Sequence, residues 1–217
     1  MFSDGLCRFI AHFFYPNPQY NPTVISNPSL PERSGAMMSA TLIVYSTVDG
    51  HTLAICRRIA EILEKHGEET VLVEIGGAIE MDCCRFDKIV VGASIRYGGH
   101  RPVLYRFIDH HRADLERAAS AFFSVGAVAR KPGKDTPEGN PYFAKFVRKG
   151  GWAPPLAAVF AGKIDYPKYS LLEKWIIRMI MHITHGPTDI SGTFEFTDWA
   201  AVERFAERIA AAEPTQI

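Results

Sequence analysis

Ser46, Thr47, Val48, Asp49, Gly50, His51 and Thr52 follow an apolar run at 41–45 and lead into a helical pattern at 52–65. A strand that ends in a hydroxyl- and glycine-bearing turn at a helix start can hold a phosphate monoester. The first backbone N–H groups of a helix lack intrahelical partners, and its dipole is positive at that end. The turn holds no Lys or Arg, so such a site would rest on amides and hydroxyls. Ser, Asp and Gly also make ordinary turns and caps, and spacing alone leaves both readings open. Two later segments carry further chemistry. Ser94, Ile95, Arg96, Tyr97 and Gly98 precede Gly99-His100, and Ser124, Val125 and Gly126 precede Ala127-Val128-Ala129-Arg130-Lys131-Pro132. They offer an aromatic plane, close-approach glycines and three cations.

The elements that must position these turns alternate along the chain. Strands are expected at 41–45, 71–75, 88–93, 119–125 and 156–161. Helices are expected at 52–65, 102–118 and 141–149, with a short one near 78–84. Near-continuous apolar strands separated by helices imply an α/β fold, a doubly wound five-stranded parallel sheet covered on both faces. Ligands then sit beyond the carboxyl ends of the strands, where the strand order reverses, and all three turns fall on that edge. A closing helix at 198–212 places Trp199, Val202, Phe205, Ala206 and Ile209 at helical spacing behind the N-cap Thr197-Asp198.

The 217 residues, 47% of them hydrophobic, suit one domain with an appendage. Twenty-four basic residues balance 24 acidic ones, so nothing calls for a nucleic-acid partner. Cys7, Cys56, Cys83 and Cys84 have no metal-ligand or redox spacing; free thiols and no metal site are expected. Residues 1–39 read as a flexible leader, with Pro16, Pro18, Pro22, Pro28 and Pro31 set among polar residues. Met37 and Met38 offer a translation start just ahead of the first strand, in which case the leader is not translated. The folded domain is then 40–213.

Residues 162–196 form an insertion longer than one crossover needs. Within it, Leu171, Leu172, Trp175, Ile176, Met179, Ile180 and Ile183 cover about half of a helical wheel. The stretch 169–184 carries charges and is shorter than the ~20 residues that a bilayer crossing requires, so it reads as an interfacial or docking helix. Between 127 and 185 ten Lys or Arg face four Asp or Glu. That excess favours an anionic membrane surface, with a homo-oligomer interface as the alternative.

The three turns, with Thr197-Asp198-Trp199 after them, together resemble the bacterial menaquinone-dependent protoporphyrinogen IX dehydrogenases, flavodoxin-like FMN enzymes of haem synthesis. The resemblance runs from about residue 41 to 212. It rests above all on Ala93-Ser94-Ile95-Arg96-Tyr97-Gly98 followed by Val128-Ala129-Arg130-Lys131-Pro132. It implies FMN held by residues 46–52, 94–98 and 124–126, and protoporphyrinogen IX oriented through its propionates by Arg130 and Lys131, with Arg96 beside them. It also implies menaquinone or ubiquinone as acceptor, and a peripheral position on the cytoplasmic side of the inner membrane. No catalytic acid or base is legible. Rival readings are an NAD(P)H-quinone oxidoreductase and a flavodoxin-type electron carrier, the latter disfavoured by the basic second half.

Overall fold

A computed structural model describes residues 39–183 and 186–214; the leader expected at 1–39 lies almost wholly outside them. In chain order the main elements are β1 (Ala40–Ser46), α1 (His51–Lys65), β2 (Glu69–Glu74), α2 (Ile75–Ala78), β3 (Lys88–Ser94), α3 (Pro102–His110) and α4 (Arg112–Arg117). There follow β4 (Ala119–Val125), α5 (Pro141–Gly150), β5 (Leu156–Phe160), β6 (Lys163–Asp165), α6 (Leu171–Ile183), β7 (Thr193–Glu195) and α7 (Trp199–Ala210). The first five strands form a parallel sheet in the order β2-β1-β3-β4-β5.

Side-chain alternation along each strand divides the core in two. Leu42, Val44, Val91 and Phe122 face one side, where α3 and α5 supply Leu104, Phe107, Phe143 and Phe146. Ile43, Tyr45, Val90 and Phe123 face the other, where α1 supplies Ile55, Ile59 and Leu63 and α7 supplies Val202, Phe205 and Ile209. Burial on both faces is why these strands are apolar throughout rather than alternating. The Phe122 and Phe146 rings stack at 3.9 Å and fix α5 on the sheet. The chain passes from β1 outward to β2, then returns across β1 to β3, so the order reverses between β1 and β3. Their carboxyl ends, Ser46 and Ser94, flank the resulting crevice.

Three expectations change. The short helix near 78–84 is instead α2, one turn earlier, followed by a 3-10 turn at Cys83–Arg85. The helix expected at 102–118 breaks at His111, whose ring Nε2 lies 3.2 and 3.0 Å from the Ala78 and Ile79 carbonyls and anchors the break to α2. The insertion contains, besides its helix, a two-stranded antiparallel ribbon of β6 and β7. These strands are three residues each, too short to show a period.

Candidate functional site

The turn after β1 is shaped by its own residues. Gly50 takes φ of 81°, which a side chain rarely allows, and its N–H donates to Thr47 Oγ1 at 3.0 Å. The helix ladder opens with Ala54 N–H donating to the Gly50 carbonyl, leaving the amides at 51–53 without intrahelical acceptors. His51 Nε2 lies 2.6 Å from Thr197 Oγ1, whose single proton goes to the Ala161 carbonyl at 2.8 Å. His51 therefore donates from Nε2. Burial holds its pKa below the ordinary value.

The hydroxyls of Ser46, Thr52 and Ser94 are buried and have no hydrogen-bond partner among the described residues. An unmet buried hydroxyl costs about 1–3 kcal/mol. Three of them where β1, β3 and the start of α1 converge fit a ligand rich in acceptor oxygens.

After β3 the chain makes a tight reversal. Arg96 and Gly99 exchange backbone hydrogen bonds at 2.9 and 3.2 Å, while Tyr97 and Gly98 sit at φ of 50° and 79°. Two successive positive φ values define a type I′ turn. A tyrosine in that region is strained, and the strain is held by its hydroxyl donating to Glu173 Oε1 at 2.8 Å.

Arg96 bridges the same carboxylate, at 2.9 Å, to Asp49 of the first turn, at 2.6 Å. Asp49 would repel an anionic ligand; the guanidinium neutralises it. Both ends of Arg96 are thus engaged within the chain, while the residue still lines the cavity described below. Burial would raise the Glu173 pKa, but hydrogen bonds from the Ser170 amide, the Tyr97 hydroxyl, the Ser170 hydroxyl and Arg96 outweigh it and hold the carboxyl at about 2.

Glu173 also closes α6. Its Oε2 accepts the Ser170 N–H at 3.0 Å, and its own N–H points to Ser170 Oγ at 3.4 Å, a capping box. One carboxylate therefore starts the inserted helix and ties it to the turns after β1 and β3. Clamped in this way, α6 lays Ile176, Ile177, Ile180 and Met181 along a cavity whose other walls come from the turns after β1, β3 and β4. Its opposite face is bare: Leu171 is 78% exposed, Trp175 63% and Ile183 63%.

Thr47, Val48, Asp49, His51 and Thr52 line this cavity, as do Ser94 through Gly98, Val125 and Gly126. Ser46 and Gly50 stand just behind the first turn. Ser124 does not reach the cavity; its hydroxyl is fully buried 2.9 Å from His100 Nε2 on the far side of β4. Burial pulls the His100 pKa to about 4, so the ring is neutral at pH 7. Arg130 donates to the Ala127 carbonyl at 2.8 Å and lies beside Met181 and Gly186, outside the cavity wall, with Lys131 next to it.

Glu173, Tyr169, Tyr142 and the inward face of α6 belong to the site without having been expected there. The signal for Glu173 was present in Ser170-Leu171-Leu172-Glu173, a capping-box spacing.

A sheet ordered 2-1-3-4-5 with a phosphate-type turn after β1 is the arrangement of flavodoxins, and the flavodoxin domain family matches residues 42–191. The chain belongs to that family, within the branch whose members are named protoporphyrinogen IX dehydrogenase [quinone]. A relative of that name from Leishmania major is 39% identical over 171 residues, 78% of this chain and 74% of the relative. One from Escherichia coli K12 is 38% identical over 170 residues, 78% of this chain and 94% of the relative. Among solved structures, the two-electron reduced flavodoxin of Megasphaera elsdenii superimposes with a TM-score of 0.50 at 13% identity, covering 79% of this chain and 99% of that one. That likeness concerns the fold.

Proposed function

We propose that the protein oxidises protoporphyrinogen IX to protoporphyrin IX with FMN as cofactor and a membrane quinone, menaquinone or ubiquinone, as acceptor. The observation that carries this reading is the cavity, with unmet hydroxyls and free helix amides at one end and an apolar helix along its side. The relatives' names supply the substrate and the acceptor. A bound flavin would supply two-electron redox chemistry at its ring.

The chain's own residues do the rest. The amides at 51–53 and the Thr52 hydroxyl would hold the phosphate, with Ser46 behind the turn, and Ser94 would serve the ribityl chain. Tyr97, fixed by Glu173, offers a plane beside the ring. Ile176, Ile177, Ile180 and Met181 keep water from the reacting face. Arg130 and Lys131 are assigned to the propionates, which guanidinium binds in planar fashion.

The bare face of α6, flanked by Lys168, Lys174 and Arg178, is assigned to the cytoplasmic surface of the inner membrane, where the quinone is dissolved. No described helix is long and apolar enough to cross a membrane.

Steady-state kinetics on FMN-loaded protein test the reading. Arg130→Ala should raise KM for the porphyrinogen about tenfold, the loss of one charge-assisted hydrogen bond, at normal FMN content. An unchanged KM removes the propionate role, and absence of quinone reduction by the wild-type removes the function.

A further inference from the structure

At the opposite edge of the sheet, where β3 and β4 begin, the fold assembles a second cluster that the flavin chemistry does not use. Cys83, from the 3-10 turn before β3, meets His111 and Asp114, from the junction of α3 and α4. One ligand atom from each lies within 4.8 Å of the other two. Residues 28 and 31 positions apart share no sequence spacing that would announce such a group.

The orientation of the His111 ring says more than proximity does. Nε2 faces two carbonyl oxygens, those of Ala78 and Ile79 at 3.2 and 3.0 Å, so Nε2 carries a proton. The other ring nitrogen, Nδ1, faces Asp114 Oδ2 at 3.3 Å. A histidine that donates its outer N–H to backbone carbonyls while turning the other nitrogen toward a carboxylate, with a buried thiol in the same group, has the arrangement of a metal ligand with its orienting partner. Cys83 is a free thiol, 1% exposed, and His111 is 4% exposed, while the Asp114 side chain keeps 23% of its surface open. The pocket is thus closed on two sides and open to water on the third.

We infer that Cys83, His111 and Asp114 form a binding site for a borderline divalent metal, zinc by donor chemistry. Thiolate, imidazole and carboxylate are a zinc-type ligand set, and water would complete the tetrahedron at the open side. Binding releases the Cys83 proton to solvent and leaves a sulfur–metal bond. Metal, thiolate and carboxylate are together neutral, and the neighbouring Arg117 guanidinium stands 3.9 Å from Asp114 Oδ1. Such a site clasps the turn at Cys83–Arg85 to the first turn of α4. Its effect falls on stability, and the flavin edge is untouched.

The test uses the chelator-treated, FMN-loaded full chain, titrated with cobalt(II) alone and then with zinc(II) alone. One equivalent of cobalt should produce a near-ultraviolet thiolate-to-metal charge-transfer band that zinc bleaches, and zinc should raise Tm in a concentration-dependent way. Cys83→Ser should abolish the band and Cys84→Ser should leave it. Asp114→Asn, which keeps the side chain's size and shape, should weaken the metal about tenfold or more. FMN content and circular dichroism identify any variant that has merely unfolded. The wild-type failing to give the band, the band surviving Cys83→Ser, or unchanged affinity in Asp114→Asn would each overturn the site.

Discussion

Thr52 shows how much one hydroxyl can carry. Its hydroxyl is buried, lines the cavity and has no hydrogen-bond partner among the described residues, which leaves it for a ligand. Thr52→Val keeps the volume and removes the donor; FMN should bind about tenfold more weakly, ~1.4 kcal/mol, by fluorescence titration of the flavin-free protein. Equal affinity would place the phosphate elsewhere. Glu173 makes the complementary point. Its folded pKa, about 2, lies below the ordinary value. Its contribution is therefore fully present above the ordinary carboxylate range and is lost as pH falls toward about 2. Glu173→Gln should lose that contribution at neutral pH and speed amide hydrogen exchange in α6 about tenfold, with exchange in β1 and β3 unchanged. The first turn was legible because a strand end, Gly50 and a helix start are adjacent in the chain. The Arg96–Glu173 pair was not, since 77 residues separate its members and each charge alone reads as solvated. The partner of the Ser124 hydroxyl was hidden for a similar reason: His100 packs from α5's side of the sheet.

At the scale of elements, α6 separates this chain from a minimal doubly wound domain. A 13-residue helix with apolar groups on both sides must cover two surfaces. The inner one is the cavity. For the outer one, Leu171→Asp with Trp175→Asp should abolish flotation with anionic liposomes while leaving FMN content and Tm within a degree or two of wild-type, because both side chains are exposed. Retained flotation would assign the face to another partner, a second copy of the chain first. The parallel strands were legible as unbroken apolar runs, and the helices α1, α5 and α7 as wheels with one wet side. The break at His111 was not, because it comes from a tertiary hydrogen bond to α2 and not from a Gly or Pro in the helix.

The whole molecule has two chemical poles on one sheet. Carboxyl ends of the strands carry the hydroxyls, the free amides and the apolar helix; amino ends carry the Cys83–His111–Asp114 group and the buried Lys88–Glu68 pair, at 2.5 Å, which also reaches the Ala210 carbonyl at the end of α7. Because the sheet lies between them, the cofactor pole can exchange electrons while the other holds the frame. Removing six electrons from the porphyrinogen obliges the cofactor pole to work in successive two-electron rounds, each ending at a quinone. The decisive measurement is therefore an anaerobic stoichiometry. Purified FMN-loaded protein is given protoporphyrinogen IX and excess menaquinone, and porphyrin fluorescence and quinol are followed together. The account predicts three quinols for each protoporphyrin formed, at a rate proportional to protein and absent without quinone. Porphyrin formation independent of quinone, or quinone reduction that requires NAD(P)H and ignores the porphyrinogen, would contradict it.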